Sequence, residues 1–358
     1  MIRVNGMYYL YYGGGLYSAG LPVKPCTIGL ATSQDGIHWT RANRGQPIIS
    51  PAMHRNPGSY GSGQPTVSFH DGFFYMMYTD TTGAASVGKG SAQYVLRSKD
   101  PAFQTRVQEL TATGFKSRTA TNHTTYRFAP YISADMQYSD SLDSWIVAHS
   151  DGNDAKLSFF APDLSERTFS DVNMPRHVVE GPGLVSRPDR HSVAPTAGHC
   201  GVVPVDIINA TARPGAPTSL RRQGLDISAG QTCASMAPGK VAGIFDGYAL
   251  HAPKMPLAFI TGGQRLQSAS AAPIQDLTKN FIATTSEVFH RIPYGASLSP
   301  GAKVIHVTGW PAAFLLDHNT KWPVSATRIV QHNKSSITRI SKNRYDSYRT
   351  GPPLHAVW

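Results

Sequence analysis

Short runs of aromatic and β-branched residues, each preceded by a turn signal, recur along the first half of the chain. They are residues 7–12 after Gly6, residues 73–78 after Asp71-Gly72 and residues 145–148 after Asp143-Ser144. An Asp-Gly or Asp-Ser pair before such a run is typical of a β-hairpin, and each run has the length of one strand. No window of 12 or more residues in the first 180 has a clean helical period, so this half is predicted to be antiparallel β-structure.

A second phrase follows each of these runs. Its three copies are Ser33-Gln34-Asp35-Gly36 leading to Trp39, Ser98-Lys99-Asp100 leading to Phe103, and Ala161-Pro162-Asp163 leading to Phe169. The interval from Asp35 to Asp100 is nearly equal to the interval from Asp100 to Asp163. Two phrases that recur in the same order at a nearly constant interval indicate propeller blades, each a small antiparallel sheet.

The second half continues this pattern less regularly. Gln275-Asp276-Leu277-Thr278 leading to Phe281 echoes the phrase at Asp163, but the interval from Asp163 to Asp276 is much longer than the earlier two, so one period carries an insertion. Residues 186–250 are rich in Pro, Gly, Ala and Ser and match that insertion. We therefore predict an all-β fold, one five-bladed β-propeller domain over 1–358 with an irregular insertion in the fourth blade. The predicted blades lie near 2–49, 64–113, 128–173, 178–285 and 288–340.

Charge changes the list of possible partners. Charged residues make up 15% of the 358-residue chain, and its formal net charge is +11. The stretch 321–349 is the densest in cations. Its positive field would attract a nucleic acid, a membrane surface or an acidic polysaccharide; the alternative is that the stretch is simply a basic, soluble surface. No nucleic-acid motif, apolar run of membrane-spanning length or signal peptide is visible. We expect a monomer without nucleic-acid or membrane partners.

Cysteine and histidine exclude some kinds of site. The three cysteines have no C-x-x-C spacing, which argues against zinc ribbons and thioredoxin-like sites, although Cys200 and Cys233 could pair in an oxidising compartment. His191, His199 and His251 lack a short metal-ligand spacing. No metal or cofactor is expected.

The first blade resembles a known family of enzymes. Tyr8-Tyr9-Leu10-Tyr11-Tyr12, followed by Ser33-Gln34-Asp35-Gly36-Ile37-His38-Trp39, is similar to the first blade of five-bladed β-propeller glycosidases. These are glycoside hydrolase family 43 and its relatives among arabinanases, β-xylosidases and β-fructosidases. The resemblance covers residues 2–185 well and the remainder poorly, and it supports fold more strongly than activity.

The resemblance implies three catalytic carboxylates on inner strands. Asp135, at the start of the third blade, matches the aspartate that tunes the pKa of the acid. Glu180, in Val179-Glu180-Gly181-Pro182-Gly183, matches the general acid. The general base belongs upstream of Tyr8, where residues 1–5 contain no acid. We expect the N-terminal strand to be truncated; the alternatives are that the base has moved or that the site is not hydrolytic.

Four further residues are candidates for substrate binding. Gln64 opens the second blade, Asp80 ends a strand of that blade, and Arg127 with Phe128 precedes Ala129-Pro130. Each also has a structural interpretation, as a turn residue or a packed aromatic. The predicted function is inverting hydrolysis of glycosidic bonds in a poly- or oligosaccharide, with Glu180 as acid; the alternative is a non-catalytic glycan-binding or degenerate propeller. Without a base, this chain is expected to hydrolyse glycosidic bonds weakly or not at all.

Overall fold

Strands dominate the structure, a computed structural model that describes residues 1–18, 21–52, 60–83, 92–118, 126–131, 133–151, 154–177, 181–195, 199–211, 219–317, 319–325 and 327–357. Strands account for 47% and helices for 11%, so the predicted all-β class is confirmed. Within the described ranges, no helix combines the length and apolar character needed to cross a bilayer. The chain divides into two compact units, the first made of Met1–Ser139, Asp143–Val193 and Pro204–Asp226, the second of Asp140–Leu142, Ala194–Val203 and Ile227–Trp358.

Four sheets built from strands in chain order form propeller blades. The first contains β1 (Ile2–Val4), β2 (Met7–Ser18), β3 (Leu21–Ser33) and β4 (Thr40–Arg41), followed by a 3-10 turn at Asn43–Gly45. The second contains β5 (Ser62–His70), β6 (Phe73–Asp80), β7 (Gln93–Ser98), β8 (Gln108–Thr111) and β9 (Gly114–Ser117). The third contains β10 (Asp135–Ser139), β11 (Ser144–Asp151), β12 (Asp154–Phe160) and β13 (Arg167–His177). The fourth contains β14 (Gly183–Leu184), β15 (Val202–Ala210) and β16 (Leu220–Ser228).

The two repeated sequence phrases have clear structural roles. The turn residues Asp71 (φ 48°) and Gly72 (φ 75°) both adopt left-handed backbone, as a tight hairpin between β5 and β6 requires. The aspartate of the second phrase accepts a hydrogen bond from the backbone N–H two residues on, at 2.8 Å for Asp35, 2.9 Å for Asp100 and 3.0 Å for Asp163. The repeat therefore marks the same side-chain-capped turn in three successive blades.

The core of the first unit lies between the faces of these sheets. One cluster joins residues of the first and second blades, including Ile28, Met76 and Tyr94. Another joins the second and third blades and includes Trp145 and Val147. Because alternate strand residues point to opposite faces, the second blade contributes to both clusters.

The segment 185–193 links the first strands of the blades. Arg3 N in β1 donates to Pro188 O at 2.8 Å, and Phe69 N in β5 donates to Asp189 O at 3.0 Å. In β10, Tyr138 N donates to Arg190 O at 3.1 Å. The start of the predicted insertion thus hydrogen-bonds to the first strands of three blades and carries Arg190 among them.

The second unit contains two modules of one topology. The first module has the strand order β20-β17-β18-β19-β21, with β17 (Ala249–His251), β18 (Leu257–Thr261), β19 (Gln264–Ser268), α2 (Ala271–Gln275), β20 (Phe281–Ala283), α3 (Ser286–Arg291) and β21 (Tyr294–Leu298). The second has the order β25-β22-β23-β24-β26, with β22 (Val304–His306), β23 (Ala313–Leu316), β24 (Thr320–Pro323), α4 (Thr327–His332), β25 (Ile337–Arg339), α5 (Lys342–Asp346) and β26 (Arg349–Thr350). Helix α1 (Pro238–Ile244) precedes both modules.

In both modules the outer strands pair in parallel with a central antiparallel three-stranded sheet. This arrangement differs from the blades, where strands pair in chain order. The described residues form four blades, and the predicted fifth blade and fourth-blade insertion are not confirmed.

The modules also share a buried cation. Arg265 is the second residue of β19 in the first module, and Lys321 is the second residue of the corresponding strand β24 in the second. Arg265 donates to Phe289 O at 2.9 Å, and Lys321 donates to Tyr345 O at 2.8 Å. Each cation also lies over the ring of the same aromatic residue, at 5.0 and 4.1 Å from the centroid. In each module, the cation thus binds a carbonyl near the end of the second helix.

A disulfide joins Cys200 and Cys233 within the second unit, with their Cα atoms 5.0 Å apart. Both residues belong to a buried cluster with Val241, Phe245 and Phe289. The pairing that the sequence left open is therefore present. Cys26 is buried and is not part of a disulfide.

Candidate active site

A cavity of about 280 Å³ lies in the first unit, beside the start of β5, the start of β10 and the segment 181–190. Its wall combines hydroxyl, amide, carboxylate and guanidinium groups with an aromatic ring: Met1, Tyr11, Gln64, Pro65, Thr66, Val67, Ser133, Ala134, Asp135, Gly181, Pro182, Gly183 and Arg190. Such concave sites with a few convergent polar groups are typical of small-molecule binding.

A β-bulge brings Gln64 to the cavity. Gly63 pairs with Thr79, but the next pairing in β5 is that of Thr66, so Gln64 and Pro65 lie outside the ladder. Gln64 has a left-handed backbone (φ 51°), and Pro65 has no N–H that needs a partner. The Gln64 amide is held in place, since its Nε2 donates to Ser133 Oγ at 2.5 Å and its Oε1 accepts from Thr79 Oγ1 at 3.0 Å.

Asp135 is the first residue of β10, and both its carboxylate oxygens are hydrogen-bonded. Oδ1 accepts from Thr66 Oγ1 at 2.6 Å, from Met136 N at 2.9 Å and from Arg190 Nη2. Oδ2 accepts from Leu184 N at 2.7 Å. These partners come from three blades and the linking segment, so the orientation of the carboxylate depends on the assembled propeller.

Arg190 forms the ion pair that compensates this carboxylate. It has a left-handed backbone (φ 69°) at the end of a turn in which Arg190 N donates to Arg187 O at 2.9 Å. Its Nη1 also donates to Leu184 O at 3.3 Å. The side chains of Arg190 and Asp135 are each 16% exposed, so the pair is mostly removed from water.

The surroundings keep Asp135 ionised. Burial raises its pKa, but the charge of Arg190 and the hydrogen bonds from Arg190, Thr66 and Leu184 together outweigh burial and lower the pKa below its ordinary value of 3.8. A carboxylate with a depressed pKa and filled hydrogen-bonding positions is a poor proton donor or acceptor. Asp135 is therefore suited to act as a fixed negative charge.

The turn Gly181-Pro182-Gly183 packs closely against the residues before Asp135. A Cβ atom on Gly181 would lie 2.5 Å from both Cβ and O of Ser133. This distance is too short for any side chain, so the position requires glycine. Glu180, the predicted acid, lies outside the described residues, and Gly181, its neighbour in sequence, lines the cavity.

The other predicted site residues fall into two groups, those that line the cavity and those that do not. Asp135 and Gln64 both line the cavity, whereas Asp80, Arg127 and Phe128 are not part of its wall. Asp80 is 1% exposed and accepts hydrogen bonds from Ala52 N at 3.0 Å, Ser62 Oγ at 3.1 Å, and Thr82 N and Oγ1 at 2.8 and 2.6 Å.

Phe128 has the structural role of a packed aromatic residue. Phe128 packs on Phe160 with ring centroids 4.6 Å apart. Its backbone N–H donates to Gln93 O at 2.9 Å. Arg127, which precedes it, is only half-buried.

Sequence reasoning missed Arg190, Thr66 and Ser133. Thr66 and Ser133 each stand two residues from a selected residue, Gln64 and Asp135 respectively, so nearness in sequence was the available signal. Arg190 belongs to a segment assigned to an irregular insertion, and its contact with Asp135 joins distant parts of the chain. Among the described residues, no group of three or more His, Cys, Asp or Glu side chains is placed to hold a metal ion.

No protein-family model matches the chain, and no curated protein matches it either. Solved structures do match. The Xyloglucan PUL GH43B protein of Bacteroides ovatus is 17% identical with a TM-score of 0.42, and the alignment covers 63% of this chain and 37% of that one. The GH43 endo-arabinanase of Bacillus licheniformis is 14% identical with a TM-score of 0.37, covering 63% and 69%.

An exo-1,5-α-L-arabinanase from a bovine ruminal metagenomic library is 17% identical with a TM-score of 0.38, covering 63% of this chain and 69% of that one. The chain thus spans little more than a third of the first of these structures and about two thirds of the other two. Two of these structures, the Bacteroides ovatus protein and the Bacillus licheniformis endo-arabinanase, are GH43 proteins, and GH43 is the family that the first blade resembles in sequence.

Proposed function

We propose that this protein is a glycoside hydrolase that cleaves glycosidic bonds of a poly- or oligosaccharide with inversion of the anomeric centre. The observation that carries the proposal is the Asp135 carboxylate, which is held ionised by Arg190 on the wall of a polar cavity. Gly181-Pro182-Gly183, which directly follows Glu180 in the chain, lies on the same wall.

Inverting hydrolysis needs an acid that protonates the leaving oxygen and a base that activates water. In this proposal Glu180 is the acid and Asp135 is a fixed anion whose charge keeps the Glu180 proton in place near neutral pH. Arg190 is a positioning residue, because it prevents Asp135 from taking that proton itself. The base is left unassigned, since Asp135 is the sole carboxylate among the described residues of the wall.

The remaining polar groups of the wall suit a sugar. The Gln64 amide and the Ser133 hydroxyl, already joined to each other at 2.5 Å, offer both donors and acceptors to sugar hydroxyl groups. Tyr11 contributes an aromatic ring to the wall, and its hydroxyl is anchored on Pro101 O at 2.8 Å. Substrate contacts of Asp80, Arg127 and Phe128 remain predictions.

Hydrolysis itself is the test. The full chain is incubated with aryl glycosides of arabinofuranose, xylose and galactose and with the matching unactivated oligosaccharides, and NMR identifies the first-formed anomer. Because the base is unassigned, we expect slow hydrolysis with inversion, loss of oligosaccharide turnover in Glu180→Gln with smaller loss on good leaving groups, and parental rates in the exposed control Glu166→Gln. Retention would contradict the mechanism, and equal oligosaccharide rates for Glu180→Gln and the parent would contradict its role as acid.

A second candidate, a non-catalytic glycan-binding propeller, is favoured by the lack of a second carboxylate among the described residues of the wall. It predicts saturable binding of an oligosaccharide without product. Titration calorimetry with the oligosaccharides of the panel measures binding, and we expect Gln64→Ala to weaken binding under both functions. Release of sugar separates them, because only the hydrolase would form product.

A further inference from the structure

The second module carries a tryptophan beside a set of exposed cations, here called the Trp310 corner and comprising Trp310, Arg339, Lys342 and Arg344. Trp310 is 46% exposed. Lys342 Nζ lies 4.5 Å from the centroid of the Trp310 ring. Arg339, Lys342 and Arg344 are all exposed.

Backbone and ring contacts bring these residues together. Trp310 N donates to Val307 O at 3.0 Å, and Ile340 N, next to Arg339, donates to His306 O at 3.1 Å. The hydroxyl of Tyr345 in α5 donates to Pro311 O at 3.0 Å. The turn before β23 and the start of α5 therefore form one surface of the second module.

Negative charge is sparse on this surface. Lys342 pairs with Asp346, and in the described part of the chain no carboxylate lies within 4 Å of Arg339 or Arg344. Arg344 Nε instead donates to Tyr348 Oη at 3.3 Å. Two guanidinium groups thus remain available to an anionic partner.

The first module is an internal reference. Strand β20 of the first module corresponds to β25 of the second, so Ala283, the last residue of β20, corresponds to Arg339. Helix α3 corresponds to α5, so Ser286, the first residue of α3, corresponds to Lys342. The third residue of α3 is Val288, which is buried in an apolar cluster, whereas the third residue of α5 is the exposed Arg344. The shared topology therefore does not require cations here, so the fold alone does not explain them.

We propose that the Trp310 corner binds a carboxylate-bearing polysaccharide. Guanidinium groups match carboxylates through paired N–H donors, and a partly exposed indole offers a flat apolar face to the C–H groups of a sugar ring. This combination of fork donors and an indole distinguishes an acidic sugar from a simple polyanion. The corner shares no residue with the cavity, and its binding does not depend on hydrolysis there.

Binding of the full chain to polygalacturonate tests this proposal, with polyglutamate as a carboxylate polymer that has no sugar rings. Titration calorimetry is run at low and at high NaCl concentration. Arg339→Gln with Arg344→Gln is compared with Lys254→Gln and Lys279→Gln, a pair of exposed lysines in the first module. Both double variants remove two charges, so net charge is matched.

We expect the arginine pair to weaken polygalacturonate binding about tenfold and the lysine pair less than about twofold, with weaker binding of the parent at high salt. Trp310→Ala should weaken polygalacturonate but not polyglutamate binding. Equal loss in both double variants, an effect of Trp310→Ala on both polymers, or tighter Arg339-dependent binding to duplex DNA or anionic vesicles would overturn the proposal. Because binding rather than turnover is measured, the result is independent of the proposed hydrolase activity.

Discussion

Charge is arranged in opposite ways at the cavity of the first unit and at the Trp310 corner of the second. At the cavity, Asp135 and Arg190 are mostly buried and paired, and both oxygens of the carboxylate are hydrogen-bonded. At the corner, Arg339 and Arg344 are exposed and, among the described residues, have no carboxylate within 4 Å. A buried charge therefore needs hydrogen-bonding and charged partners held in place around it, whereas an exposed charge acts on its partners through a field that salt screens.

The largest effect on stability is expected from Arg190→Met. Removing one partner of a mostly buried pair leaves Asp135 uncompensated, and we expect the free energy of unfolding to fall by about 2–4 kcal/mol. Urea unfolding at pH 7 measures this loss. Arg222, which is 70% exposed and pairs with Asp206, provides the control, and Arg222→Met should cost clearly less because water solvates that guanidinium group.

The pH dependence of this loss gives a further check. In the parent, the lowered pKa of Asp135 contributes stability above its unfolded value near 3.8, and that contribution is lost as the pH falls through the folded pKa. Without Arg190, burial dominates and the carboxyl group takes up its proton at higher pH. The difference between parent and Arg190→Met should therefore shrink on acidification; a constant difference would contradict the pairing argument.

Asp80 is a second buried carboxylate of the first unit, and it is held by hydrogen bonds. Asp80 receives hydrogen bonds from two backbone N–H groups and two hydroxyls, and an asparagine would have only one oxygen to accept them. We expect Asp80→Asn to lower the free energy of unfolding by about 2–3 kcal/mol, because buried donors lose their acceptor. A raised KM in the folded variant would instead support the prediction that Asp80 contacts substrate.

His149 shows what burial does to a cation in the first unit. Burial lowers its pKa from 6.5 to about 4, and its Nε2 is 2.8 Å from Ser158 Oγ. Since the unfolded chain takes up the proton first, stability should fall by about 1–2 kcal/mol from pH 7 to pH 5 through this group. His149→Gln should flatten the unfolding curve over that interval; an unchanged slope would rule out His149 as its source.

The smallest effect belongs to the Trp310 corner. Exchanging exposed side chains that have no carboxylate partner among the described residues should change the free energy of unfolding by less than about 0.5 kcal/mol, so Arg339→Gln with Arg344→Gln should unfold like the parent. Thermal unfolding at low and high salt checks this. A large loss would mean that these arginines hold the module together rather than face a partner.

Elements that are specified by contacts between residues close in sequence were predicted correctly, whereas elements that depend on contacts between distant residues were not. The first three blades are readable because Asp71-Gly72 and the aspartates Asp35, Asp100 and Asp163 specify their turns locally. The two modules are not, since their strands are as short as Val304–His306 and their outer strands pair in parallel across intervening helices. Short segments of this kind carry little periodicity.

The site shows the same limit. Asp135 and Gln64 are selected from sequence and do line the cavity together. Arg190 was missed because nothing in its own neighbourhood signals a partner so distant in the chain. A buried ion pair is a tertiary feature, and the Arg187-Pro188-Asp189-Arg190 turn reads from sequence as a polar loop.

The central claim, that sugar is hydrolysed at the cavity around Asp135, is tested most directly by kcat/KM of Asp135→Asn on a substrate that the parent turns over. Asp163→Asn is the control, because Asp163 also accepts a hydrogen bond from a backbone N–H but in a turn of the third blade that does not line the cavity. We predict a fall of about 10²-fold or more for Asp135→Asn, and parental kcat/KM for Asp163→Asn, at a temperature where both are folded. Equal kcat/KM for Asp135→Asn and the parent would contradict the account.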